Sequence, residues 1–269
     1  MSAVIPISDQ RVVHSRWGQG IWPIFLKVLV VECEDWPREV LAVAAIPISF
    51  FLAFGLGLSQ HIQQLDGVPY TQFITPGLIA LTTVLTAYRT TGWELWLARW
   101  HNRLMYELLV KPVPRTEIIL GEMLGAIVMA LMKGSIVAVV LYLFQPYPLV
   151  WQNLLMWLAL LIPACGIFAC VGCIVGTLFR KPDHIAQMDS IIITPLLYLG
   201  GLFFPLSTFP LWAQGWVKWL PTTALFDGGR QAFLFGQWSW GYVGLLWGLA
   251  VLSVVVSTIV FNKRAHMAA

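Results

Sequence analysis

The sequence predicts an all-α integral membrane protein. It has six transmembrane helices, an N-terminal cytoplasmic interfacial helix, and short outer re-entrant helices between spans five and six. Composition, apolar run length and charge placement predict it. Of 269 residues, 58% are hydrophobic and 11% charged, against roughly 45–50% apolar and about 25% charged in soluble domains. Mean hydropathy is +0.76. Apolar runs recur six times at the roughly 20-residue length that hydrocarbon demands. Lys and Arg gather in alternate loops. Such a chain cannot cover its apolar surface with polar groups in water. A soluble enzyme, a disordered protein and a nucleic-acid-binding domain are therefore poor readings.

Residues 1–39 form a cytoplasmic N-terminus. Within it, 17–31 is apolar but too short to span, and Lys27 interrupts it. It reads as a helix lying in the interface; the alternative is a partly buried first turn of span one. Asp9, Glu32, Glu34, Asp35 and Glu39, with no small-residue cleavage site, give no sign of a cleavable signal peptide. A single transmembrane domain covers 40–262, with spans at about 40–60, 73–92, 118–144, 152–179, 190–206 and 240–262. Backbone polar groups in hydrocarbon must be paired internally, so the spans should be helices. Alternation every second residue is absent, which argues against a barrel. Span five is short and carries Pro195, Gly200 and Gly201, which predict a kink or irregular structure. Residues 263–269 form a cytoplasmic tail.

Orientation follows from the positive charges. Arg11, Arg16, Lys27 and Arg38 precede span one. Arg89, Arg99, Arg103, Lys111 and Arg115 lie at the end of span two or before span three. Arg180 and Lys181 separate spans four and five, and Lys263 and Arg264 follow span six. That is 13 of the 16 Lys and Arg residues. The opposite loops hold only Lys218 and Arg230. Both termini should be cytoplasmic in a multi-pass protein.

Two non-spanning segments are informative. In 93–117, Trp93, Trp96, Leu97 and Trp100 share a helical face, as do Leu104 and Leu108. Pro112 and Pro114 end that helix. Such an amphipathic cytoplasmic helix offers a handle to a soluble partner, or rests on the membrane as a connector. The outer segment 207–236 is broken by Pro210, Pro221, Gly228 and Gly229, and Trp212, Trp216 and Trp219 share one face. Two short helices that dip into the outer leaflet explain it better than a seventh span. A seventh span would leave Lys218, Asp227 and Arg230 in hydrocarbon.

No P-loop, nucleophile elbow, H-E-x-x-H or dinucleotide fingerprint occurs. The five histidines are scattered, so no metal cluster is visible. Cys170 and Cys173 read as small packing residues. The chain is not expected to be an enzyme, and no catalytic or metal residues are assigned. Lys133 is the single charge near a span centre. It faces a pathway and an anionic group, or it pairs or snorkels. Gly121-x-x-x-Gly125, Gly172-x-x-x-Gly176 and Gly244-x-x-x-Gly248 permit close helix approach without saying which helices meet.

YTQFITPGLI over 70–79, YELLVKPVPR over 106–115 with Gly121 following, and TPLLYLGGLFFPL over 194–206 with Phe209, Pro210 and Trp212 stand in order along the chain. Together they resemble the permease subunits of type-2 ABC exporters, in the bacterial YadH-like branch. Drug, lipo-oligosaccharide and polysaccharide export permeases are relatives.

The resemblance implies an inner-membrane permease that moves an amphipathic or lipid-linked substrate (lipid, drug, glycolipid or polysaccharide) outward by alternating access at a dimer interface. It implies a separate P-loop ATP-binding subunit in two copies, a second copy of this permease, and ATP and Mg on the partner only. Beyond these the expected partner is membrane lipid, with no nucleic acid. The coupling helix would span about 100–115, with Arg103, Tyr106, Glu107, Leu108, Leu109, Lys111, Pro112, Pro114 and Arg115 at the ATPase. Lys133, Thr194, Pro195 and Tyr198 are candidates for the substrate pathway, and spans one, two and five for its walls. An ion-coupled carrier or channel, and a membrane-embedded lipid-linked transferase, are the alternatives. A transferase would require clustered Asp, Glu or His at a membrane face.

Overall fold

The computed structural model describes residues 18, 20–34, 36–57, 64–65, 67–101, 114–147, 150–181 and 183–265. It is all-α, with 86% helix. The elements are α1 (Ile21–Glu34), α2 (Trp36–Phe50) continued by π-helical turns (Phe51–Gly57), a two-stranded hairpin, and α3 (Tyr70–Trp96). In the hairpin, Gln64 pairs with Pro69 and Leu65 with Val68. There follow α4 (Arg115–Phe144), α5 (Trp151–Leu178), α6 (Asp183–Met188), π-helical turns (Asp189–Ile193) and α7 (Thr194–Leu199). A 3-10 turn (Leu206–Thr208), α8 (Leu211–Val217), α9 (Pro221–Phe235) and α10 (Trp240–Ala265) complete the described chain.

Among the described residues, four segments are long and apolar enough to cross a membrane: Arg38–Gly57, Arg115–Phe144, Trp151–Leu178 and Trp240–Lys263. The expected second span lies in α3, which is not among them. The reason is its position. α3 is the central helix, wrapped by α4, α5 and α9, and most of its residues are buried. It therefore presents little surface to lipid and tolerates a polar lining. Its Thr75, Thr82, Thr83, Thr86 and Thr91 hydroxyls each donate to the carbonyl four residues back, which satisfies them inside an apolar bundle. The expected fifth span lies in a helix that runs without interruption from α6 through the π-helical turns to α7 and ends at Gly200 and Gly201.

Glycines decide which helices touch. A Cβ on Gly172 would sit 2.2 Å from the Tyr88 carbonyl oxygen, and one on Gly176 2.3 Å from that of Gly92. α3 and α5 therefore meet backbone to backbone, and the stepping from 88 and 92 to 172 and 176 makes them run in the same direction. Gly121 and Gly125 receive Ile24 and Val28 of α1 in the same way. α1 thus packs lengthwise along α4 rather than lying free in an interface. A Cβ on Gly244 or Gly248 of α10 would meet nothing within 4 Å, so the third small-residue pair packs on none of the described residues.

The segment 207–236 holds two short helices, α8 and α9, and they differ. α8 leaves Leu211, Trp212 and Trp216 exposed, with Trp219 just beyond it. α9 is inserted against α5, α3 and α10. Its Arg230 is 3% exposed, lies 4.2 Å over the Phe73 ring and donates to the Gly201 carbonyl at 2.7 Å. Gly201 is left-handed (φ 89°), so Arg230 satisfies a carbonyl that the break after α7 frees.

Candidate functional site

The charges of the bundle are concentrated on a seam joining α1, α2, α3 and α4. Buried charge is costly unless it is paired and hydrogen-bonded, and each carboxylate and ammonium described below meets a partner. Glu117, fully buried in the first turn of α4, accepts the Gly18 and Gly20 amide N–H groups, each at 2.8 Å. Lys27 of α1 reaches Glu94 of α3 at 2.8 Å and Glu122 of α4 at 3.1 Å. Burial alone would lower the Lys27 ammonium. The charges of Glu122 and Glu94, with the hydrogen bonds they accept, outweigh burial and hold its pKa above the ordinary 10.5.

Further along the seam, Lys133 of α4 is 4% exposed. It donates to Glu32 of α1 at 2.5 Å and also to Glu39 of α2. Glu32 accepts a second bond, from the Thr90 hydroxyl of α3 at 3.0 Å. Of the two readings open for Lys133, the structure gives pairing. It also places that pair on a cavity. A space of about 250 Å³ is lined by Glu32, Glu39, Thr86, Arg89, Trp93 and Lys133, with Ala42, Val43 and Thr90.

Arg89 carries the seam to the helix of Asp189 and Thr194. Its Nε and Nη2 both donate to Asp189 Oδ2, at 2.7 and 2.5 Å. The Thr194 hydroxyl donates to Asp189 Oδ1 at 3.3 Å. Pro195 stands where the π-helical turns pass into α7. Tyr198 is 40% exposed and packs edge-on against Phe50 of α2, with centroids 6.0 Å apart. Thr194 thus joins Lys133's surroundings through Asp189 and Arg89, whereas Tyr198 belongs to an aromatic cluster with Phe50, Phe54 and Phe203.

Of the proposed coupling residues, Arg103, Tyr106, Glu107, Leu108, Leu109, Lys111 and Pro112 lie outside the described residues. Pro114 caps α4 at φ −58°. Arg115 Nη1 donates weakly to the Asn262 carbonyl at 3.4 Å. Where the chain enters that segment, Arg99 and Arg180 both lie over the Trp100 ring, at 5.1 and 5.2 Å. The Trp96 indole N–H donates to the Arg180 carbonyl at 2.9 Å. The segment therefore leaves a fixed corner and returns at the Glu117 clamp.

Sequence reasoning did not find Glu32, Glu39, Arg89, Glu94 and Asp189 as a set. The available signal was that a lone mid-helix lysine demands carboxylates; their identity required the fold. No group of three or more His, Cys, Asp or Glu suited to a metal occurs among the described residues.

Residues 34–234 match the ABC-2 type transporter family. The chain is 30% identical over 222 residues to the inner membrane transport permease YadH of Escherichia coli (strain K12), covering 82% of this chain and 85% of that protein. It is 27% identical over 235 residues to nodulation protein J of Rhizobium leguminosarum bv. viciae, covering 84% and 87%. Nodulation protein J of Rhizobium meliloti (strain 1021) is 25% identical over 228 residues, covering 84% and 86%. With that match across most of its length and a helical bundle built for lipid, the chain belongs to the ABC-2 type transporter family, as a membrane permease rather than an enzyme.

Proposed function

We propose that this chain is the permease of an ATP-driven ABC exporter of the bacterial inner membrane. It crosses six times with both termini cytoplasmic and works as a dimer with two copies of a separate P-loop ATP-binding subunit. ATP and Mg belong to that subunit. The cargo is amphipathic or lipid-linked. It passes between inward- and outward-open states of the interface between copies, or laterally from the bilayer, with spans one, two and five as walls. Lys133, Thr194, Pro195 and Tyr198 are the pathway candidates. ATP can shift the balance only through different affinities for the two states.

One observation carries this beyond the family match. The segment 102–113 returns to α4 at Pro114, and three residues later Glu117 grips the start of α1. A push on that segment would reach α4 and α1 directly, then α2 and α3 through Lys133 and Lys27. Arg103 to Arg115 are accordingly the docking residues for the ATPase.

Co-purification tests it. A P-loop ATPase should come down with the chain, and Glu107→Arg or removal of 103–115 should release it while the permease stays folded. Persistence of the complex in both variants would overturn the docking assignment. Export of cargo by the reconstituted permease without ATPase would overturn the function. Impermeant labelling should leave 93–117 unmodified from the outer face.

A further inference from the structure

The cavity around Lys133 adjoins a second one. That cavity, about 110 Å³, is lined by Ala42, Val43, Ile46, Pro47, Leu81, Thr82, Leu85, Thr86 and Arg89. The two share Ala42, Val43, Thr86 and Arg89. Side by side they follow the α2–α3 seam as a groove in two parts, polar at the Glu32 end and apolar at the Ile46 and Leu81 end. A groove with that gradient fits an amphipathic molecule lying along the seam.

The polar end has a specific charge pattern. Two carboxylates, Glu32 and Glu39, share one ammonium, Lys133. Glu39 is the outer one, with its side chain 39% exposed. Beside them stands Trp93, 48% exposed, whose face attracts cations. These groups favour a positive group. Arg89 favours a negative one. Its side chain is 51% exposed. Asp189, which does not line the groove, takes two of its N–H donors of the five a guanidinium carries. A purely anionic headgroup would face Glu39, and a purely cationic one would face Arg89. A zwitterion satisfies both.

We infer that the α2–α3 groove binds a zwitterionic phospholipid of the phosphoethanolamine type, through Glu39, Arg89 and Trp93. The phosphate lies at Arg89 and the ammonium at Glu39 and Trp93. An acyl chain lies against Ile46, Pro47, Leu81 and Leu85. This rests on the permease reading, in which spans one and two wall the pathway, and it names the lipid class that enters there.

The test uses the full-length permease with its ATPase partner in detergent–lipid micelles. The probe is phosphatidylethanolamine carrying a diazirine in its acyl chain. Crosslinks should map to 42–47 and 81–86. Unlabelled palmitoyl-oleoyl phosphatidylethanolamine should compete, while the phosphatidylglycerol analogue and dodecyltrimethylammonium should each compete at least about tenfold less well, the worth of one charge-assisted contact. Glu39→Gln and Arg89→Gln should each weaken labelling by about tenfold, and Arg89→Lys should recover part of it at unchanged melting temperature. Equal competition by phosphatidylglycerol, equal competition by dodecyltrimethylammonium, or crosslinks elsewhere would each overturn the inference, and these wild-type arms do not depend on any variant folding. If the ATPase co-purifies but lipid selectivity is absent, only the groove falls. If no ATPase associates, the exporter reading falls while selective labelling stands.

Discussion

Lys133→Met is the sharpest perturbation of the seam. The substitution keeps the volume of the side chain and removes its charge. Breaking a buried ion pair by deleting one partner costs about 3–5 kcal/mol. Two features reduce that here. Glu39, at 39% exposed, can recover water, and Glu32 keeps the Thr90 hydroxyl. The expected loss is therefore about 2–3 kcal/mol, or a melting temperature lowered by about 5–10 °C. Intrinsic fluorescence follows it directly, since the chain has 14 tryptophans. Adding Glu32→Gln to the variant removes the stranded carboxylate and should return about 1–2 kcal/mol. Unchanged melting for Lys133→Met, with no recovery in the double variant, would refute the claim that this triad ties α1, α2 and α4 together. Full transport by both Lys133→Met and Lys133→Arg would remove Lys133 from the pathway.

Gly172→Ala and Gly176→Ala put a methyl group onto a backbone carbonyl and should each destabilise by about 1–3 kcal/mol in the same melting assay. Gly244→Ala and Gly248→Ala, with open space around them, should be neutral or stabilising by up to about 1 kcal/mol. Glu117→Ala strands two amide donors and should cost about 2–3 kcal/mol, with faster proteolysis ahead of Ile21; Glu117→Gln keeps one acceptor and should cost less. Lys27's pKa is raised on folding, so its contribution is full below pH 10.5 and lost only as pH climbs through the higher folded value. The melting-temperature advantage of wild type over Lys27→Met should therefore collapse only as pH is taken above 10.5.

How much was legible in the sequence differs from element to element. Helical membrane character follows from composition, because apolar surface and unpaired backbone are costly whatever the fold. The end of the helix at Gly200 and Gly201, and the start of α4 after Pro114, are properties of those residues' own backbones. The family resemblance likewise needs only order and spacing along the chain.

Tertiary structure decided what those local rules leave open. The spacing of Gly121 and Gly125 and that of Gly244 and Gly248 are the same in the sequence; the first pair receives α1, and the second packs on none of the described residues. α3 falls short as an apolar run because it is the helix that the others enclose. Lys133 meets Glu32 and Glu39 across about 100 positions of chain, and Arg89 meets Asp189 across a similar distance. A charge in a low-dielectric interior must find its opposite. Which opposite it finds is a matter of three-dimensional proximity, and proximity exists only once the helices have packed.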